Sequence, residues 1–101
     1  MSFKVLFHPS AESDYVQAYQ WYEERLEGLG ERFNYAVERQ VMLILKNPEH
    51  YQLKKRGCRE SKVIMFPYII VYKIYADLEV ILIVGVFHTG QNPVKKYRRR
   101  L

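Results

Sequence analysis

Only one cysteine, Cys58, occurs in the 101 residues. An internal disulfide is therefore excluded, and a reducing cytoplasm is the expected setting. Long apolar runs are also missing. Lys73, Asp77 and Glu79 interrupt the richest stretch, so nothing approaches the ~20 residues of a membrane span. The opening MSFKVLFHPS lacks the basic, apolar and small-residue layout of a signal peptide. The five glycines fit no phosphate-cradling loop, and His8 and His50 have no Cys or acidic companions at ligand spacing. No metal and no cofactor are expected. Repeats and low-complexity linkers are absent as well. What is present is a chain 49% apolar and 15% aromatic, with nine tyrosines. That is too rich for a disordered segment and suffices for one domain with one two-layer core.

Charge is divided along the chain. Residues 1–50 carry five Lys/Arg against eight Asp/Glu, a net of −3. Residues 51–101 carry eleven against three, a net of +8. A basic half on an ordinary domain points to a polyanionic or acidic partner.

Periodicity sets out the elements. Phe3, Val5 and Phe7 alternate as a strand, which His8-Pro9 ends. Ser10 stands where a helix N-cap belongs, with Glu12 and Asp14 in the first turn. Ala11, Tyr15, Ala18, Tyr22 and Leu26 mark one helical face, and Gly28 marks its stop. Phe33, Val37, Val41 and Ile44 mark a second helix from about Glu31 to Lys46, which Asn47-Pro48 breaks. Its final turns, VMLIL, are apolar nearly all round and predict the more deeply buried end. Residues 58–65, 69–75 and 79–87 then read as three strands with short connections, hence antiparallel neighbours.

The resulting fold class is α+β, in the order β-α-α-β-β-β. A helical hairpin packs on one face of a mostly antiparallel four-stranded sheet. If each element reverses the one before it, strand 1 lies antiparallel to the last strand and pairs with it. Strict alternation puts Val80, Leu82, Val84 and Val86 on one face of that strand and Ile81, Ile83 and Phe87 on the other. One helical hairpin covers one face only. The second therefore awaits the C-terminal tail or a partner. Gly85 inside the strand predicts a bulge or a close approach.

Several segments together resemble a known superfamily. They are Ala18-x-x-Trp21-Tyr22, Leu29-Gly30-x-x-Phe33, Asn47-Pro48 and Arg59-x-x-x-Val63-x-x-Phe66-Pro67-Tyr68-x-Ile70-x-Tyr72-x-Ile74, followed by Val86-Phe87-His88, Asn92-Pro93 and Arg98. Over essentially the whole chain they resemble RelE/ParE toxins of type II toxin–antitoxin systems, on the ParE-like plasmid stabilisation side. The resemblance implies a cytoplasmic bacterial toxin neutralised by an antitoxin encoded beside it. ParE-like members poison DNA gyrase, whereas RelE-like members cut mRNA on the ribosome as metal-independent endoribonucleases. A non-toxic nucleic-acid-binding module is the third reading.

The candidate site residues follow from these alternatives. RNA cutting without metal needs cations beside the scissile phosphate, a role suited to Arg59. His88 could shuttle protons, and Tyr97 lies in the region where some RelE-like relatives carry a catalytic tyrosine. Lys54, Lys55 and Arg56, with Arg98, Arg99 and Arg100 of the tail, are candidates for nucleic-acid or partner binding. The plainer readings are a solvated, lysine-protected edge strand and a frayed basic tail. Tyr19, Trp21 and Tyr22 cannot share one helical face, so one of them is left for a gyrase contact, with Tyr19 and Trp21 the candidates. The implied antitoxin carries an acidic, amphipathic C-terminal segment, matched to the basic half.

Overall fold

The computed structural model describes residues 2–90. Its elements are β1 (Lys4–Phe7), α1 (Pro9–Arg25), α2 (Leu29–Lys46), β2 (Arg59–Lys62), β3 (Tyr68–Tyr75) and β4 (Val80–His88). This is the α+β order read from the sequence, with the two helices packed on one face of a four-stranded sheet.

The start of α1 differs from expectation by two residues. Pro9 opens the helix, because its fixed φ suits the first helical position and its missing N–H is not needed there. The cap is His8, not Ser10: the His8 Nδ1 accepts from the Ser10 backbone N–H at 3.1 Å. The helix ends at Arg25, which leaves Leu26 exposed rather than on the core face. Gly28 then opens α2 with φ at +87°, a conformation that favours glycine. The Glu23 carboxylate closes this turn by accepting from the N–H groups of Gly28 (3.0 Å) and Gly30 (2.9 Å). A negative group here also complements the positive end of the α2 dipole.

Strand order is β1-β4-β3-β2. The β2–β3 and β3–β4 pairs are antiparallel, as expected, but β1 lies parallel to β4. The assumption of reversal at every step fails at the first connection. Only His8 separates β1 from α1, too little chain to turn back. His8 N–H donates to Ile83 O and Val86 N–H donates to Asp14 Oδ2, while Tyr22 packs on Tyr68, which is paired with His88. Positions 8, 14 and 22 thus track 83, 86 and 88, so α1 advances along β4 in the same direction.

A bulge in β4 overturns the expected facing. The register on β3 passes from Val71 opposite Gly85 to Tyr72 opposite Ile83, leaving Val84 as the extra residue. One inserted residue inverts the alternation beyond it. Val86 therefore joins Ile81 and Ile83 in the helix-facing core, and Phe87 joins Val84 and Leu82 on the other face. The chain is tightly packed at this point. A Cβ on Gly85 would stand 2.1 Å from the Phe87 ring.

Ile44 is fully buried in the main core with Phe33, Val37, Ile70, Tyr72, Ile81 and Ile83, and Val41 packs against the cluster. The end of α2 is less buried than its composition predicts, since Met42 is 69% exposed. The second sheet face is not an open apolar patch. Cys58, Ile69, Val71, Val84 and Phe87 form a buried cluster there, and Leu6 is the half-exposed neighbour at the β1 edge.

Candidate functional site

Arg59 begins β2 opposite Tyr72 of β3, on the helix-facing side. Its guanidinium points into the connection after α2. Nη1 donates to Tyr51 O at 2.7 Å and to Glu49 O at 3.2 Å. The buried Tyr72 donates its hydroxyl to Pro48 O at 2.6 Å. Gln40 of α2 donates its amide to the Tyr51 hydroxyl at 3.2 Å and to the buried Ser61 hydroxyl. Three side chains from three elements thus clamp residues 48–51 onto the sheet. Burial pushes the Tyr72 phenol up to about 12, even though the Arg59 charge pulls it down. It is a neutral hydrogen-bond donor at physiological pH, not a proton acceptor.

His88 ends β4 opposite Tyr68. Its Nδ1 accepts from Gly90 N–H at 2.9 Å, and its ring meets Tyr68 edge-on at 5.3 Å between centroids. It opens on a cavity of about 560 Å³ lined by Gln17, Trp21, Tyr22, Pro67 and Tyr68. Arg59 and His88 share the helix-facing side but are not neighbours. Their partners on β3 are four residues apart, about 13 Å along the strand, and β2 and β4 flank β3 on opposite sides, about 10 Å apart. A ribonuclease reading requires Arg59 and His88 to meet at one rim, and they do not. The β4 bulge gave both side chains the same face, but the register sets them four residues apart along β3, with β3 itself between their strands.

The basic cluster before β2 divides. Lys54, Lys55 and Arg56 are exposed on a tight turn, with Arg56 at φ +57°, while Arg59 is turned inward. Cys58 beside them is buried, and burial pushes its thiol up, so it is no ready nucleophile. On α1, Trp21 is 48% exposed with the Arg25 guanidinium 3.9 Å above its ring, whereas Tyr22 is buried. Tyr19 donates its hydroxyl to Glu31 Oε1 at 2.7 Å, linking α1 to α2. Tyr97, Arg98, Arg99 and Arg100 lie outside the described residues. Among the described residues no cluster of His, Cys, Asp or Glu could hold a metal, and no helix is long and apolar enough to cross a membrane.

The residues missed by sequence reasoning are Gln40, Ser61 and Tyr72. Gln40 carried a signal, because a polar side chain at the core spacing Phe33, Val37, Gln40, Ile44 needs a buried partner.

Residues 5–93 match the sequence model described as the ParE toxin of the type II toxin–antitoxin system parDE. Among curated proteins none matches the sequence. Several solved structures share the fold. The chromosomal ParDE toxin–antitoxin system from P. aeruginosa superposes with a TM-score of 0.65 at 15% identity, over 86% of this chain and 96% of that one. The intact E. coli RelBE toxin–antitoxin complex gives 0.65 at 17%, over 90% and 100%. The isolated E. coli RelE toxin gives 0.65 at 17%, over 97% and 95%.

Proposed function

Because the chain belongs to the family of ParE toxins of type II toxin–antitoxin systems, we propose that it acts in the bacterial cytoplasm by binding and inhibiting DNA gyrase, with no catalysis of its own, until a cognate antitoxin neutralises it. The observation that carries this reading is the use made of Arg59. Its guanidinium is committed to two backbone carbonyls, at 2.7 and 3.2 Å, and His88 lies across β3 and four residues along it. An RNA-cutting site needs a cation and a proton-transfer group converging on one phosphate. This pair does not converge. What the surface offers is suited to protein binding: exposed Trp21 stacked under Arg25, and the exposed cations Lys54, Lys55 and Arg56. A Trp–Arg stack is the side-chain type enriched at binding hot spots. That similar folds occur in ParDE and RelBE complexes supports an antitoxin partner.

The deciding experiment measures gyrase supercoiling and mRNA cleavage on translating ribosomes with the same purified chain. Supercoiling should be inhibited and mRNA should stay intact. Trp21→Ala should weaken inhibition by about tenfold or more, while His88→Ala stays within twofold. Ribosome-dependent cleavage that disappears in His88→Ala would overturn the proposal in favour of a RelE-like endoribonuclease. Neither activity, together with salt-sensitive binding to DNA or RNA, would favour a non-toxic binding module.

A further inference from the structure

The cavity on which His88 opens lies where α1 meets the ends of β3 and β4, and its 560 Å³ falls in the size range of small-molecule sites. Trp21 and Tyr22 line it from α1, Tyr68 from β3 and His88 from β4. Successive rings stand steeply to one another. Trp21 and Tyr22 meet at 90° with centroids 5.1 Å apart, Tyr22 and Tyr68 at 62° and 6.1 Å, and Tyr68 and His88 at 85° and 5.3 Å. The walls are held in place. Tyr22 and Tyr68 both pack on the buried Phe33 ring, and His88 is tied to Gly90 N–H. Asp14 brings a carboxylate into the lining, and its Oδ2 is fixed by Val86 N–H at 3.1 Å.

The ring angles decide what shape fits. A flat base stacks on a ring face parallel to its own, and no two successive rings here form a parallel slot. Rings set as the walls of a box suit a compact, rounded group. Charge decides the sign. Aromatic faces are electron-rich, and Asp14 adds a full negative charge that repels a phosphate or carboxylate and attracts a cation. Burial is the main cause that pushes the Tyr22 and Tyr68 phenols up, and the Asp14 charge adds to it at Tyr68. Trp21 already shows the preference for cations. The Arg25 guanidinium lies 3.9 Å from its ring centroid, and Arg25 is not part of the cavity lining.

We propose that this cavity is an aromatic cage for the head of an alkylated ammonium ion, of the trimethylammonium class. Methyl groups spread the charge of such a head and weaken its hydration, so it leaves water for ring faces more readily than the compact ammonium of lysine does. The ring walls supply cation–π contact, and Asp14 supplies the opposite charge. The site is additional to the toxin reading above and stands without it, because ligand binding is read directly.

The experiment uses the full chain and choline chloride, with sodium chloride adjusted to hold ionic strength constant. Trp21 is the sole tryptophan, so its emission reports this site alone. Choline should change that emission saturably in the millimolar range or below. Dimethylbutanol, the neutral analogue of the same shape, should bind about tenfold more weakly or worse, since it lacks the charge. Asp14→Asn keeps an oxygen for Val86 N–H and removes the charge, and should weaken choline binding about fivefold with an unchanged circular dichroism spectrum. Tyr68→Phe should stay within about threefold of the parent, because the ring and not the hydroxyl forms the wall. Leu78→Ala, at an exposed turn between β3 and β4, should match the parent. An acetylated trimethyllysine amide distinguishes the source of the head. Tighter binding than choline would assign the cage to a modified protein side chain, and weaker binding to a free small molecule; both support it. No saturable change, or dimethylbutanol binding as tightly as choline, would overturn the cage. So would a folded Asp14→Asn variant with parent-like affinity. Neither gyrase inhibition nor mRNA cleavage bears on these outcomes, so the cage and the toxin reading fail separately.

Discussion

At the scale of single residues, polar side chains are used chiefly to hold backbone. Arg59 and Tyr72 satisfy three carbonyls in the connection after α2, and Glu23 satisfies two N–H groups at the α1–α2 turn. Tyr72 and Tyr15 both have phenols pushed up to about 12, in each case mainly by burial. Their folded pKa values lie above the unfolded value of about 10. The folded state therefore binds more protons between these limits, and stability falls as pH rises from about 10 toward 12. Denaturant midpoints should begin to fall near pH 9, where the buried Cys58 thiol contributes, and drop more steeply above pH 10. Tyr72→Phe, although less stable at neutral pH through loss of the Pro48 bond, should show a shallower alkaline drop. An unchanged slope would show that Tyr72 does not carry the effect. Ile44→Ala should cost about 2–5 kcal/mol, as truncation of a fully buried isoleucine does. Chemical denaturation measures that directly.

At the scale of elements, most of the pattern was legible and its exceptions have local causes. Both helices, all four strands and the breaks at Asn47 and around Ala76–Leu78 follow from periodicity and turn chemistry. The start of α1 was misplaced because two residues, Pro9 and Ser10, both suit a helix start, and the His8 imidazole supplies the cap that Ser10 would otherwise give. The facing of β4 was misread beyond Val84, because period-two reasoning carries no information about an inserted residue. Gly85 signalled the site but not the residue that bulges. The same glycine gives a test at this scale. Gly85→Ala places a methyl inside the contact distance of the buried Phe87 ring and should destabilise by about 1–3 kcal/mol. A neutral result would mean that the strand shifts register without penalty.

Across the whole molecule, the distribution of charge and exposed apolar groups separates three surfaces. The α1 surface carries Trp21 and Arg25, the turn before β2 carries Lys54, Lys55 and Arg56, and the outer row of α2 alternates arginine, tyrosine and methionine. These surfaces lie on different elements. A mixture of chain, gyrase and antitoxin then tests whether neutralisation is by exclusion or by release. If the α1 surface meets gyrase and the antitoxin binds elsewhere, a transient ternary complex should be detectable by native mass spectrometry before gyrase dissociates.

The sequence by itself determined the elements, their order and the toxin-superfamily resemblance. Each of these rests on local spacing and residue type, which a linear chain displays in full. Strand direction, facing and the fate of Arg59 were decided only in three dimensions. Whether β1 runs with β4 depends on α1 advancing along β4 after a one-residue connection. Whether His88 faces the helices depends on one bulged residue, and whether Arg59 is available depends on carbonyls eight and ten positions away in the chain. These are relations between distant segments, and no local pattern encodes the register that brings them together.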